Sequence, residues 1–168
     1  HAARCLENKT PACLLYGRGS PFVDIKLPCG GGLEIVLIPR PCAATLTEAV
    51  ARHDRRQVSI IGINIASGCL QILEDGMTGR NGDQVVVRIE PETYFCLVGK
   101  GPEATSMASL VQAAGYPNIL LSPDQETLTI AARAGCETRH LKTAEFPANL
   151  TADQFSAIVL FFHDHEWE

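Results

Sequence analysis

The stretch DIKLPCGGGLEI places Cys29 directly before three consecutive glycines. Glycine runs let the backbone adopt positive φ and let a ligand or partner approach closely. A thiol beside such a run is more exposed than one inside a strand, and an exposed thiolate can act as a nucleophile or a soft metal ligand. Cys29, Gly30 and Gly31 therefore form one candidate site. The alternative is a hairpin connection with an incidental cysteine.

A second candidate is the segment VGKGPEAT, which fits the spacing G-x-G-x-x-A through Gly99 and Gly101. It follows a predicted strand, opens a predicted helix and precedes Asp124, which lies near where a ribose-binding carboxylate is expected. Pro102 removes one backbone donor and Glu103 adds negative charge to the first helical turn, and both features disfavour a diphosphate. The pattern therefore predicts the fold more strongly than it predicts bound NAD(P).

The third candidate is the sequence His163, Asp164, His165, which directly follows the apolar run AIVLFF. Ligands of open α/β sheets sit beyond the carboxyl ends of the strands, and in an extended segment the two histidines share a face. We expect both histidines to line a site, with capping of the strand end as the structural alternative. The spacing matches no zinc signature, so no metal site is predicted there.

The pattern of predicted strands and helices, which must position these residues, changes near Glu90. Short β-branched runs divided by Gly, Pro, Asn and Asp predict a β-rich, mostly antiparallel portion over residues 1–91. Beyond it, TYFCLVG, NILLS, ETRHL and AIVLFF alternate with helical stretches, which predicts a Rossmann-like parallel α/β domain over residues 92–168. The predicted fold class is α/β, with the second domain incomplete at its C-terminus.

Composition narrows the classes of function. The 168 residues carry a net charge of −5 and 46% hydrophobic residues, which favours a globular protein and argues against nucleic-acid binding. The sequence has no apolar run of the ~20 residues that a membrane span needs and no signal-peptide core at its start, so a cytoplasmic location is expected. Seven cysteines without repeated spacing fit reduced thiols. Cys13 and Cys96 lie in strand-like runs and are expected to be buried.

Together, YGRGSPF, DIKLPCGGGLEI and the final FHDHEWE resemble the XdhC/CoxI family of accessory factors, which mature molybdenum hydroxylases such as xanthine dehydrogenase. In this resemblance Cys29, Gly30 and Gly31 stand as the family's cysteine-glycine motif. Residues 163–165 stand as the HDH that closes a strand of its C-terminal Rossmann domain. Family members carry further segments on both sides, so the resemblance implies that this chain is a fragment.

The resemblance implies a maturation chaperone rather than a catalyst. XdhC-like proteins bind the molybdenum cofactor (molybdopterin), protect it, bring it to a cysteine desulfurase and deliver it to a molybdenum hydroxylase. Cys29 is the implied candidate for a molybdenum ligand. The implied cofactor-binding residues are Cys29, Gly30, Gly31, Gly99, Gly101, His163 and His165.

Two other functions fit the sequence. The chain can be an NAD(P)-binding oxidoreductase-like protein, with Gly99, Gly101 and Asp124 as the cofactor clamp. It can also be a non-catalytic interaction module that docks a hydroxylase through its β-rich portion. The apolar AIVLFF strand further predicts a homo-oligomer, because Phe161, Phe162 and Trp167 are expected to form an exposed patch that recruits a second copy.

Overall fold

The computed structural model describes residues 1–21, 28–145, 147–148 and 150–162. The chain divides into two compact units, His1–Glu90 and Pro91–Glu168. The first unit is β-rich, and the second alternates strands and helices. The predicted α/β fold class is therefore confirmed. Within the described residues, no helix is both long enough and apolar enough to cross a membrane.

The described residues of the first unit form two sheets, and every strand pair in them is antiparallel, in agreement with the predicted β-rich, mostly antiparallel portion. Its elements are α1 (Ala2–Asn8), β1 (Ala12–Gly17), β2 (Gly32–Leu37), α2 (Ala43–Asp54), β3 (Ser59–Asn64), β4 (Cys69–Ile72), β5 (Gly79–Asn81) and β6 (Gln84–Ile89). Strands β1 and β2 form a hairpin, and the other four strands form a sheet in the order β4-β3-β6-β5. Helix α1 and the three-residue strand β5 were not predicted from the sequence.

Helix α2 packs on the four-stranded sheet of the first unit. Ala49 lies in a buried cluster with Ile61 of β3 and Leu70 of β4. Two side-chain hydrogen bonds reinforce this contact: the Thr45 hydroxyl donates to the Leu70 carbonyl over 3.1 Å, and the Ser59 hydroxyl donates to the Ala49 carbonyl over 3.2 Å. These bonds satisfy buried hydroxyls, so they fix the register of the helix on the sheet.

The described residues of the second unit include a four-stranded sheet in which each neighbouring pair of strands is parallel. Its elements are β7 (Tyr94–Gly99), α3 (Pro102–Ala113), β8 (Asn118–Ser122), α4 (Gln125–Arg133), β9 (Glu137–His140) and β10 (Ser156–Phe161). The four predicted strands are therefore confirmed as a parallel set. Their order, β10-β7-β8-β9, corresponds to the first four strands of a doubly wound sheet, in which the fourth strand lies beside the first.

The two central strands of this sheet are buried on both faces, which explains their continuous apolar sequences. On one face Leu97 and Leu120 pack against three helical alanines, and every one of these five side chains is fully buried. The alanines are Ala104, Ala108 and Ala131, and their small size lets α3 and α4 lie close to the sheet. On the other face Cys96 is buried, as predicted, in a cluster with Val98 and Ile119.

The expectation that Phe161 and Phe162 are exposed was wrong. Phe161 is partly buried and Phe162 is only 7% exposed within the core. The alternation of the strand turns Ile158 and Leu160 outward instead. Trp167 lies outside the described residues.

Candidate functional site

Cys29 lies in the connection between β1 and β2, and its side chain is exposed, as the glycine run predicted. The connection closes where the Arg18 N–H donates to the Gly31 carbonyl over 3.0 Å. Residues 22–27 of this connection lie outside the described part of the chain. The described part presents a thiol that solvent can reach.

The glycines beside this thiol leave the main chain accessible, because they carry no side chains. Gly30 has φ +69°, and apart from its two chain neighbours no atom of the described residues lies within 4 Å of where its Cβ would be. A Cβ on Gly31 would lie 3.4 Å from the Cys29 Sγ. A side chain at position 31 would therefore contact the thiol, whereas glycine leaves more room for a ligand to approach both the sulfur and the main chain.

Gly99, the first glycine of the G-x-G turn, has a packing role in the structure. It ends β7 opposite Phe161 of β10, and a Cβ there would lie 2.5 Å from the Phe161 Cβ and 2.6 Å from its carbonyl oxygen. Neither distance is compatible with a side chain. The close approach of two strands therefore accounts for this glycine without any ligand.

Gly101 is the N-cap residue of α3 and has φ +86°, and its N–H donates to the Thr127 hydroxyl oxygen over 2.9 Å. The Thr127 hydroxyl in turn donates to the Asp124 carboxylate over 2.6 Å, and the Thr127 N–H donates to the same oxygen over 2.7 Å. Asp124 thereby caps α4. The hydroxyl of Thr127, its N–H and the charge of Lys100 hold the pKa of Asp124 below its usual value. The N–H of Gly101 is consequently already bonded within the protein.

A cleft of about 290 Å³ lies where α3 and α4 begin. It is lined by Gly101, Pro102, Thr105, Asp124, Glu126, Thr127 and Ile130. Pro102 has no N–H to offer, and a carboxylate oxygen of Glu103 lies 3.6 Å from the position of a Gly101 Cβ. Asp124 and Glu126 add two further carboxylates to the cleft. This electrostatic environment opposes a diphosphate, as the sequence indicated.

The predicted histidines, His163 and His165, lie outside the described residues. The strand before them, β10, ends at Phe161 in register with Gly99. The carboxyl ends of β10 and β7 therefore share one edge of the sheet. Among the residues that are described, no group of three or more His, Cys, Asp and Glu side chains could hold a metal ion.

The prediction that Cys13 is buried was wrong. Cys13 is exposed on β1, and its thiol donates a hydrogen bond to the Glu34 carboxylate over 2.8 Å. Arg80 forms an ion pair with the same carboxylate. The hydrogen bond to Glu34 raises the pKa of Cys13, so this thiol resists ionisation. Its exposure follows from the two-stranded sheet, which leaves alternate residues facing solvent.

Sequence reasoning also missed Cys42, which is the N-cap residue of α2 and is exposed. The Thr45 hydroxyl, with the N–H groups of Thr45 and Ala44, lowers the pKa of Cys42. A thiol at a helix N-terminus ionises more readily than an ordinary one. The signal was present in the sequence PCAATLTEAVARH, where a cysteine occupies the capping position before a helical pattern.

No protein-family model matches the chain. The chain is 28% identical over 154 residues to the molybdenum cofactor insertion chaperone PaoD of Escherichia coli K12, a match that covers 89% of this chain and 41% of PaoD. The chain thus spans less than half the length of this curated relative. The similarity supports a relation to proteins of molybdenum cofactor maturation.

The crystal structure of a xanthine dehydrogenase from Bacillus halodurans superimposes on this chain with a TM-score of 0.73. The two proteins are 10% identical, and the match covers 97% of this chain and 57% of the other. At this low identity the similarity shows the fold alone. It supports the α/β architecture described above.

Proposed function

We propose that the chain binds the molybdenum cofactor and takes part in its insertion into a molybdoenzyme. The observation that carries this proposal is the similarity to an insertion chaperone over 89% of the chain, an extent that includes residues of both units. Chance similarity confined to a common nucleotide-binding fold would not extend into the β-rich unit. Catalysis is not part of the proposal.

The proposed contact site is the turn of Cys29, Gly30 and Gly31. A thiolate is a soft ligand of the kind that suits a transition metal, and the exposure of Cys29 leaves it accessible. Apart from its chain neighbours, no described residue lies close to the Cβ position of Gly30, which leaves room for a flat pterin ring to approach the main chain. These two features support Cys29 as a ligand or guard for molybdenum and the glycines as the surface beneath the cofactor.

Gly99 and Gly101 take a different role in this proposal from the one expected from their spacing. Gly99 is required by the contact with Phe161, and the N–H of Gly101 is bonded to Thr127. We therefore assign them to shaping the edge of the sheet rather than to holding the cofactor's phosphate. His163 and His165 come directly after the β10 segment in the sequence and remain candidates for lining the site.

We further propose that the chain is an XdhC/CoxI-type accessory factor. The LPCGG and HDH sequences support this assignment. It makes a xanthine dehydrogenase-type hydroxylase the recipient of the cofactor and a cysteine desulfurase the source of its sulfur. The NAD(P)-binding alternative is not favoured, because Glu103, Asp124 and Glu126 place negative charge where a diphosphate would lie.

The test is cofactor retention by the 168-residue chain. The protein is produced in a host that makes molybdenum cofactor and purified without oxygen, and molybdenum is measured by mass spectrometry and pterin by the fluorescence of its oxidised form. We expect both in the wild type and a loss of about tenfold or more in Cys29→Ser, the scale found when a metal site loses a supporting group. Cys69→Ser removes another exposed thiol and is the matched control.

Two results contradict the proposal in different ways. Wild-type protein that carries neither molybdenum nor pterin, yet co-purifies with a hydroxylase, would show that the chain is an interaction module. Equal retention in the wild type and in Cys29→Ser would leave cofactor binding intact and remove Cys29 from the site. Transfer is then tested by adding loaded protein to a cofactor-free xanthine dehydrogenase and following the appearance of activity.

A further inference from the structure

The molybdenum cofactor carries a phosphate, and the proposed roles of Cys29 and its glycines give that group no partner. The G-x-G turn is unsuited to it, because the N–H of Gly101 is bonded to Thr127 and carboxylates line the cleft beside it. Proteins commonly hold phosphates with arginine or lysine side chains. A cation close to Cys29 would therefore supply what the G-x-G turn does not.

Arg18 lies directly across the hairpin from the glycines that follow Cys29. Its N–H donates to the Gly31 carbonyl over 3.0 Å, which extends the register of β1 and β2 by one pair beyond Gly17 and Gly32. In an antiparallel pair the Cβ atoms of directly opposed residues lie about 5 Å apart on one face. The side chain of Arg18 therefore starts close to the Cβ position of Gly31.

The sulfur of Cys29 lies beside the same position, because a Cβ on Gly31 would be 3.4 Å from the Cys29 Sγ. An arginine side chain has three methylene groups before its guanidinium, so Arg18 is long enough to reach a ligand that contacts this sulfur. Arg18 is exposed, which leaves its side chain in contact with solvent. One small molecule can consequently meet both the thiol and the guanidinium.

The charge of the connection between β1 and β2 favours an anion. Its charged residues in the sequence are Arg18, Asp24 and Lys26, so it has an excess of positive charge in a chain whose net charge is −5. Its described residues, 18–21 and 28–31, include no carboxylate. The cleft at the beginnings of α3 and α4 differs, because Asp124 and Glu126 line it. A phosphate is therefore favoured beside Cys29 over that cleft.

An apolar side chain lies close to the same turn. Leu33 is the residue two positions after Gly31, and strand residues two positions apart project from the same face. Leu33 is 51% exposed, so it offers an apolar contact to a planar ring. The turn thus combines a sulfur, an apolar side chain and a cation, which matches the metal, the ring and the phosphate of the cofactor.

We propose that Arg18 binds the phosphate of the molybdenum cofactor while Cys29 contacts its molybdenum. This inference rests on the proposed function, because it assigns one further contact within the same site. A guanidinium presents parallel N–H donors, which bind two oxygens of one phosphate at the same time. Arg18 is thereby a specificity-determining residue, which selects the phosphorylated pterin over the same pterin without phosphate.

The test separates the phosphate from the rest of the cofactor. The probes are the oxidised, fluorescent form of the pterin with its phosphate and the same compound after phosphatase treatment, and fluorescence anisotropy measures their binding to the 168-residue chain. We expect the wild type to bind the phosphorylated probe at least about tenfold more tightly. Arg18→Gln should reduce this preference to about twofold or less and leave the affinity for the dephosphorylated probe unchanged.

Three further variants show whether the position and shape of Arg18 matter. Arg40→Gln is the matched control, because Arg40 is an exposed arginine beyond the other end of β2. Lys26→Gln removes another cation of the same connection. Arg18→Lys keeps the charge without the planar fork, so it should recover only part of the preference. Far-UV circular dichroism checks that each variant folds.

The outcomes distinguish this inference from the proposed function. A wild type that binds both probes equally, or neither of them, overturns the role of Arg18. An equal loss of preference in Arg18→Gln and in Arg40→Gln or Lys26→Gln also overturns it, because general charge would then explain the effect. The proposed function itself is contradicted only when the purified wild type retains neither molybdenum nor pterin.

Discussion

Replacing Thr127 with valine tests whether the beginnings of α3 and α4 are held together by the hydroxyl of this residue. Thr127 is 2% exposed, and its hydroxyl accepts the Gly101 N–H while donating to Asp124. Valine keeps the volume and leaves the partly buried N–H without its partner, which costs about 2 kcal/mol of unfolding free energy. For a unit of this size the unfolding midpoint falls by about 10 °C.

The effect should depend on pH with a definite sign. Asp124 has a pKa below its usual value in the folded protein, so its ionised form contributes stability above its unfolded pKa, and that contribution is lost as pH falls through the folded value. Thr127→Val removes the largest cause of this shift. The difference between wild type and variant should therefore be greatest near neutral pH and shrink under acidic conditions that protonate Asp124.

Thermal unfolding followed by far-UV circular dichroism at several pH values measures both effects. Thr129→Val is the matched control, because the Thr129 hydroxyl is exposed on the same helix and donates to the Gln125 carbonyl within that helix. A Thr127→Val midpoint as high as that of the control at pH 7 would refute the reasoning. A difference that does not change with pH would refute the assigned role of Asp124.

Two further changes test the packing and the thiols. Gly99→Ala should lower the unfolding free energy of the second unit by at least about 2 kcal/mol, because the new Cβ would overlap the Phe161 main chain. Chemical denaturation measures this loss, and an unchanged midpoint would contradict the contact. Alkylation followed by mass spectrometry should modify Cys42 at lower pH than Cys13, because the pKa of Cys42 is lowered and that of Cys13 is raised. Glu34→Gln should move the labelling of Cys13 to lower pH, and an unchanged pH profile would exclude the carboxylate as the cause.

The parallel sheet could be predicted because each of its strands and helices has a recognisable pattern in the local sequence. The runs FCLV and NILL are too apolar to be half-exposed, and helical stretches of suitable length separate the strands. Helix α1 and strand β5 gave no comparable signal. The three residues of β5, Gly-Arg-Asn, are all exposed, so this strand forms through its backbone bonds to β6 rather than through an apolar pattern.

The candidate site was predicted less completely, because the contacts that define it are distant in sequence. The exposure of Cys29 followed from the adjacent glycines, but the exposure of Cys13 depended on the number of strands in its sheet. The partners of the G-x-G turn, Thr127 and Phe161, lie on other elements of the second unit. A local spacing cannot show that a distant hydroxyl already accepts the hydrogen bond a ligand would need.

The spacing of the G-x-G turn consequently indicates the fold of the second unit, and it does not by itself indicate a bound ligand. Gly99 lets β7 and β10 approach each other, and Gly101 is the N-cap residue of α3, has a positive φ and bonds to Thr127 of α4. Each requirement would preserve the spacing in a protein that binds no dinucleotide. The glycines beside Cys29 differ, because no described residue other than the chain neighbours lies near the Cβ position of Gly30, and a Cβ on Gly31 would contact the thiol without a clash. The positive φ of Gly30 also favours glycine, but the sulfur beside it is exposed and its surroundings leave room for a ligand, which is why the cofactor proposal rests on the Cys29 turn.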